Sequence, residues 1–126
     1  FQLVLRKCLL MQAQIAASAH NYAAAGTFAN RALTTARSIH SPDAGDDRFQ
    51  IVRAQRLVGD IEQGAGNTGA AQASWQNAEQ LLPANGAERP RDMVQRMIIL
   101  QRLHHDAEAQ QIADNLKAIG YRRFEL

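Results

Sequence analysis

The sequence predicts an all-α chain of about six helices, paired as antiparallel hairpins that stack one on the next into a short superhelix. Three observations carry that expectation. Apolar residues recur at three- and four-residue intervals through most of the chain. Alanine is abundant, and 46% of the 126 residues are hydrophobic while only 6% are aromatic. Such a composition favours helices, because alanine loses no side-chain entropy in one. No stretch alternates with period two for long enough to make a strand. The length suits a single domain over residues 1–126 with a core of its own.

From Leu3 to Ala19, apolar residues fall at Val4, Cys8, Met11 and Ile15, with Leu5, Leu9, Ala13 and Ala16 beside them. This is a helix with a broad apolar face, and Cys8 reads as a small core residue on it. His20-Asn21 interrupts it, and Asn21 is placed to cap a second helix that turns Tyr22, Ala25, Phe28, Ala29, Ala32, Leu33 and Ala36 inward. Ser41 to Asp47 is a loop of proline, glycine and acidic residues, with Asp46 or Asp47 able to cap the third helix. That helix is expected from Arg48 to Gln63, burying Phe49, Val52, Leu57, Val58 and Ile61. A Gly-Asn turn then leads to a fourth over Thr68–Leu82, stopped by Pro83.

A second loop comes next, and Pro90 stands where a first-turn proline belongs. The fifth helix carries Met93, Val94, Met97, Ile98, Leu100 and Leu103; the sixth, after His104-His105-Asp106, carries Ala109, Ile112, Ala113 and Leu116 and ends at Gly120. The hairpins therefore span roughly 2–40, 47–83 and 90–120. Phe1-Gln-Leu-Val-Leu-Arg reads as a helix already under way, so the chain is expected to be a piece of a longer protein.

The three inter-helix turns align with one another. His20 to Ala25, Gly66 to Ala71 and His104 to Ala109 each end on a small residue entering the second helix, and Ala32, Ala78 and Leu116 come seven residues later. Ala25, Ala71 and Ala109 stand 46 and 38 positions apart. Those spacings match a repeat of about 34 residues lengthened by the two loops.

The middle hairpin carries the strongest signature: small residues at Gly59, Ala71 and Ala78, an aromatic at Trp75 and a breaker at Pro83. In this the chain resembles a tetratricopeptide repeat domain. It departs from the family pattern where Gln55 takes the first-helix tryptophan position, Glu62 the tyrosine position, and Ala13 and Met97 the place of Gly59. The tail from Leu116 to Arg123 resembles the end of tetratricopeptide regions appended to bacterial serine/threonine kinases and winged-helix regulators.

The resemblance implies a non-catalytic scaffold in which the first helices line a concave groove that binds a peptide segment or partner domain. Carried over by the turn alignment, the groove positions are Lys7, Leu10, Gln14 and Ala17, then Arg53, Arg56, Asp60 and Gln63, then Arg91, Val94, Ile98 and Gln101. Such a groove would be basic along one side and apolar along parts of the other, with arginine forks suited to carboxylates of an acidic ligand. The asparagines of the family's carboxylate clamp are missing.

Other motifs point to no chemistry. Gly64-Ala-Gly66-Asn-Thr-Gly69 has the spacing of a dinucleotide-binding turn, but that site needs a strand before it and here a helix ends there. His104, His105, Asp106 and Glu108 lack the converging ligands of a zinc site. His40, Ser41 and Asp43 are loop neighbours rather than a triad. Trp75, Met93, Met97, Ile98 and Leu100 read as packing residues. No enzyme activity, cofactor or metal is expected.

The net charge is +2 with a pI near 9.1, and the basic spots Arg89/Arg91 and Arg122/Arg123 are too short for a nucleic-acid stripe. One cysteine leaves the compartment open, with the cytoplasm favoured and the periplasm the alternative if the parent chain is membrane-anchored. No window approaches the apolar length of a membrane span. The rival readings are a structural or homo-oligomerising module pairing through the first helix, and a nucleic-acid contact through the arginines.

Overall fold

The structure, a computed structural model, describes residues 2–40, 42–83 and 88–121. Its side chains are described from Leu5 onward. The described residues form six α-helices joined by turns: α1 Gln2–Ser18, α2 Tyr22–Ser38, α3 Ala44–Gly64, α4 Thr68–Leu81, α5 Pro90–Arg102 and α6 Asp106–Ala118. None is long and apolar enough to cross a membrane. The parts of the expected loops at Ser41 and 84–87, and Arg122/Arg123, lie outside the described residues.

The helices pair within hairpins as α1·α2, α3·α4 and α5·α6, and between hairpins through α2·α3, α4·α5, α1·α3 and α3·α5. The first hairpin does not touch the third among the described residues, so the stack is linear with the α3–α4 hairpin at its centre.

Start signals explain the boundaries. The Asn21 side chain accepts from Ala24 N–H at 3.4 Å, as expected of a cap. Helix α3 begins four residues earlier than expected, because Asp43, rather than Asp46 or Asp47, is its cap and accepts from Asp46 N–H at 3.0 Å. The other two aspartates then fill the first turn, where the positive end of the helix dipole favours them. Pro90 opens α5, and Asp92 Oδ2 reaches back to accept from Arg89 N–H at 3.1 Å.

All three inter-helix turns share one geometry. Asn21 N–H bonds to Ala16 O, Asn67 N–H to Glu62 O and His105 N–H to Leu100 O, each at 2.8 Å. The preceding residue bonds one turn back: His20 to Ala17, Gly66 to Gln63, His104 to Gln101. This is the Schellman pattern, which requires a left-handed residue just past the helix. Gly66 supplies it at φ 89°, while His20 and His104 adopt φ 59° and 63° against the preference of a side chain. The turn alignment read from the sequence thus superposes residue for residue, with offsets of 46 and 38.

Three apolar clusters run along the stack. Leu9, Leu10 and Ala13 of α1 meet the alanines of α2 and the stripe Ala54, Leu57, Ile61 of α3. Val52 of α3 meets Ala71, Trp75 and Ala78 of α4, Leu82 and Ile99 of α5. Val94, Met97, Ile98 and Leu100 meet Ala109 and Leu116 of α6. Gly59 lets the indole lie on the α3 backbone: a Cβ there would stand 2.5 Å from Trp75 Nε1. Gly64 does the same for Tyr22, whose ring would be 2.5 Å from an added Cβ.

One face differs from the sequence expectation. Cys8, Met11 and Ile15 are exposed, and α1 packs instead through Leu9, Leu10 and Ala13. Apolar residues surround more than half of α1, and its hairpin partner α2 covers only one side.

Candidate functional site

A polar site is built around Asp60, one turn from the end of α3. Asp60 Oδ2 accepts from Arg56 Nη1 at 2.8 Å, and Oδ1 accepts from Trp75 Nε1 and Arg102 Nε, each at 3.0 Å. Arg56 Nε donates onward to Gln95 Oε1 at 2.9 Å. One carboxylate therefore joins α3, α4 and α5. Arg56 is 3% exposed and Gln95 fully buried, and a buried cation survives only when its donors are met.

Above this network a cleft of about 240 Å³ opens at the turn end of the second and third hairpins. Gln63, Gln72 and Gln101 line it with Thr68, the edge of Trp75, Arg102 and His104. Each amide side chain both donates and accepts, so three of them can match a peptide backbone's alternating groups. The Arg102 guanidinium is 40% exposed in its side chain and carries further N–H donors beyond Nε.

The opposite end of α3 and α5 is tied by ion pairs. Arg89 grips Asp43 with two parallel bonds of 3.0 and 3.1 Å. Arg91 Nη1 donates to Asp46 Oδ1 at 2.7 Å while its guanidinium lies 4.5 Å over the Phe49 ring. The Arg89 guanidinium first, then the Asp46 N–H, hold the Asp43 carboxyl down at about 2 from 3.8.

The expected groove positions part company on this frame. Lys7, Gln63 and Gln101 are exposed, and Gln14, Ala17, Arg53, Asp60 and Arg91 are half-buried. Leu10, Val94 and Ile98 belong to the core and Arg56 to the buried network, so these four do not face a ligand. The reason is that α3 touches both α1 and α5, which places Leu10, Arg56 and Val94, equivalent in register, inside the stack. The apolar wall of the expected groove is therefore absent, and its accessible polar remainder ends at the cleft through Gln63 and Gln101.

Comparison with protein-family models, curated proteins and solved structures finds no match.

Gly64–Gly69 is a helix–turn–helix junction preceded by α3, not a strand. His104 and His105 are exposed in the last turn, and no three His, Cys, Asp or Glu side chains converge on a metal position among the described residues. Trp75 is core, 4% exposed, with only its edge at the cleft. Sequence reasoning misses Gln95, Arg102 and the role of Asp60 as a hub. The signal for Gln95 is a single amide within the apolar run Val94, Met97, Ile98, Ile99, the mark of a buried polar group with a partner.

Proposed function

We propose that this chain is a non-catalytic, tetratricopeptide-like interaction module that binds an acidic peptide segment in the amide-lined cleft between its second and third hairpins. The class of partner is the expected one, and the contact surface moves. Binding rests on Gln63, Gln101 and Arg102 rather than on Arg56, Val94 or Ile98. The observation that carries it is the convergence of Gln63, Gln72, Gln101 and Arg102 on one open cleft above a network that ties α3, α4 and α5 together. Helices already tied together need no rearrangement to present these side chains. The mechanism is passive: amides take the peptide backbone and Arg102 takes a carboxylate, with no bond made or broken. A bacterial multidomain regulator as parent rests on the tail resemblance alone.

Trp75 is the chain's one tryptophan and borders the cleft, so its emission reports occupancy. Acidic, neutral and basic synthetic peptides of equal length should be titrated against the wild type and Gln63→Ala/Gln101→Ala. Saturable quenching by the acidic set, weakened about tenfold in the double variant, is the expected result. Absence of binding by every peptide, or equal binding by the variant, would reject the cleft. Binding of single-stranded nucleic acid that collapses with salt would reject the class of partner.

A further inference from the structure

The exposed stripe on α1 is out of keeping with its two equivalents. In the turn register, Cys8, Met11 and Ile15 correspond to Ala54, Leu57 and Ile61 of α3, and to Asp92, Gln95 and Ile99 of α5. All six of those residues are buried, at 8% exposure or less: Ala54, Leu57 and Ile61 cluster with α1 and α2, Ile99 clusters with α4, and Gln95 is bonded to Arg56 of α3. Met11 and Ile15 stand 60% and 66% exposed. The chemistry of the stripe also matches: small, long and unbranched or γ-branched, then isoleucine, as in Ala54, Leu57, Ile61. Leucine and methionine exchange at nearly constant volume in cores. The face is continuous in register with two established interfaces.

We infer that α1 is a stacking face whose occupant is one further helical hairpin of the same repeat, its second helix laying small residues over Met11 and Ile15 as α2 does over Leu57 and Ile61. The occupant's chemistry is narrower still. Ser18 stands where Gly64 admits the Tyr22 ring, so the incoming helix needs a small first residue, as α4 has in Thr68.

A second copy fits less well in either mode. The side of α2 that faces α3 is marked by Tyr22 at Gly64 and Arg37 bonded to Gln55. The same side of α6 carries Asp106, Gln110 and Lys117, all exposed and polar, with Tyr121 at its end, so head-to-tail stacking would bring charge against Met11 and Ile15. Face-to-face pairing of α1 with itself joins three side chains a side, well short of the roughly 1,200 Å² that stable interfaces bury.

Cys8 is exposed and is the chain's one thiol, so it reports coverage. The test compares the 126-residue chain with a fusion carrying a second copy of residues 1–46 ahead of Phe1, with Cys8→Ser and Tyr22→Thr in the added hairpin. Maleimide labelling of the inner Cys8 is expected to slow about tenfold or more in the fusion, with helix content rising in proportion. Met11→Glu/Ile15→Lys in the inner hairpin should restore a second reporter: proteolysis of the added hairpin, which the unmodified fusion resists. Unchanged Cys8 labelling, whether or not the added hairpin is helical, overturns the inference. So does sedimentation of the 126-residue chain as a dimer that Ile15→Lys dissociates, which would make a second copy the occupant. Neither outcome bears on the cleft, since Trp75 quenching is read independently.

Discussion

Gly59 lies in the interior of α3, where helix propensity alone favours alanine by about 1 kcal/mol. The Trp75 ring reverses that preference, because an added Cβ would meet Cδ1 at 2.6 Å and the neighbour is a packed indole rather than a flexible chain end. Gly59→Ala is expected to lose about 2 kcal/mol in urea unfolding, and Trp75→Leu should shrink that penalty when the two are combined. His104 presents the opposite case. It holds φ 63° at the position that Gly66 fills in the middle turn, with its side chain exposed. His104→Gly should therefore gain about 0.5–1 kcal/mol, the relief of left-handed strain less the added freedom of the unfolded chain. An unchanged unfolding midpoint would show that the turn does not strain the histidine. His20→Gly is a poorer test, since His20 Nδ1 and Tyr22 Oη are 2.8 Å apart and that contact would go as well.

At the scale of elements, α3 is the helix that both neighbours share, and Asp60 is where α4 and α5 meet it. Asp60→Ala leaves Arg56 buried without its carboxylate and Trp75 Nε1 without an acceptor. A loss of about 3 kcal/mol is expected. Arg102→Gln, which removes the more exposed partner, should cost no more than about 0.5 kcal/mol. Equal losses from the two would contradict the role of Asp60 as partner to the buried Arg56. The helices themselves are legible in the sequence because their ends are written in chemistry: Asn21, Pro90, and the Gly or His that comes after each first helix. The faces are less so. Periodicity locates an apolar arc but not which part of it a neighbour covers, and α1 has apolar residues on both sides. Arg56 reads as outward because charge usually is; its burial depends on Gln95, a residue 39 positions away, which local pattern cannot reveal.

At the scale of the molecule, the hairpins form a line in which the second mediates between the first and third. The starts of α3 and α5 are clamped by Asp43 with Arg89 and by Asp46 with Arg91. The Asp43 carboxyl, held at about 2 against 3.8 by Arg89 and the Asp46 N–H, is depressed on folding. Its contribution is present above the unfolded value and is lost as pH falls from there through the folded value. Carbon-detected NMR should find its midpoint near 2, and Arg89→Ala should move that midpoint up towards the ordinary value. A midpoint indifferent to Arg89 would mean that the clamp is open in solution.

The central claim is that ligand contact lies at the other end, in the cleft framed by Gln63, Gln101 and Arg102. The most direct measurement is an amide-resolved NMR titration of the wild-type chain with an acidic peptide. The account expects shift changes in the side-chain amides of Gln63, Gln72 and Gln101 and in the Trp75 indole N–H, with α1 and the Asp43 end undisturbed. Changes centred on Lys7, Met11 and Ile15, with the cleft silent, would contradict it.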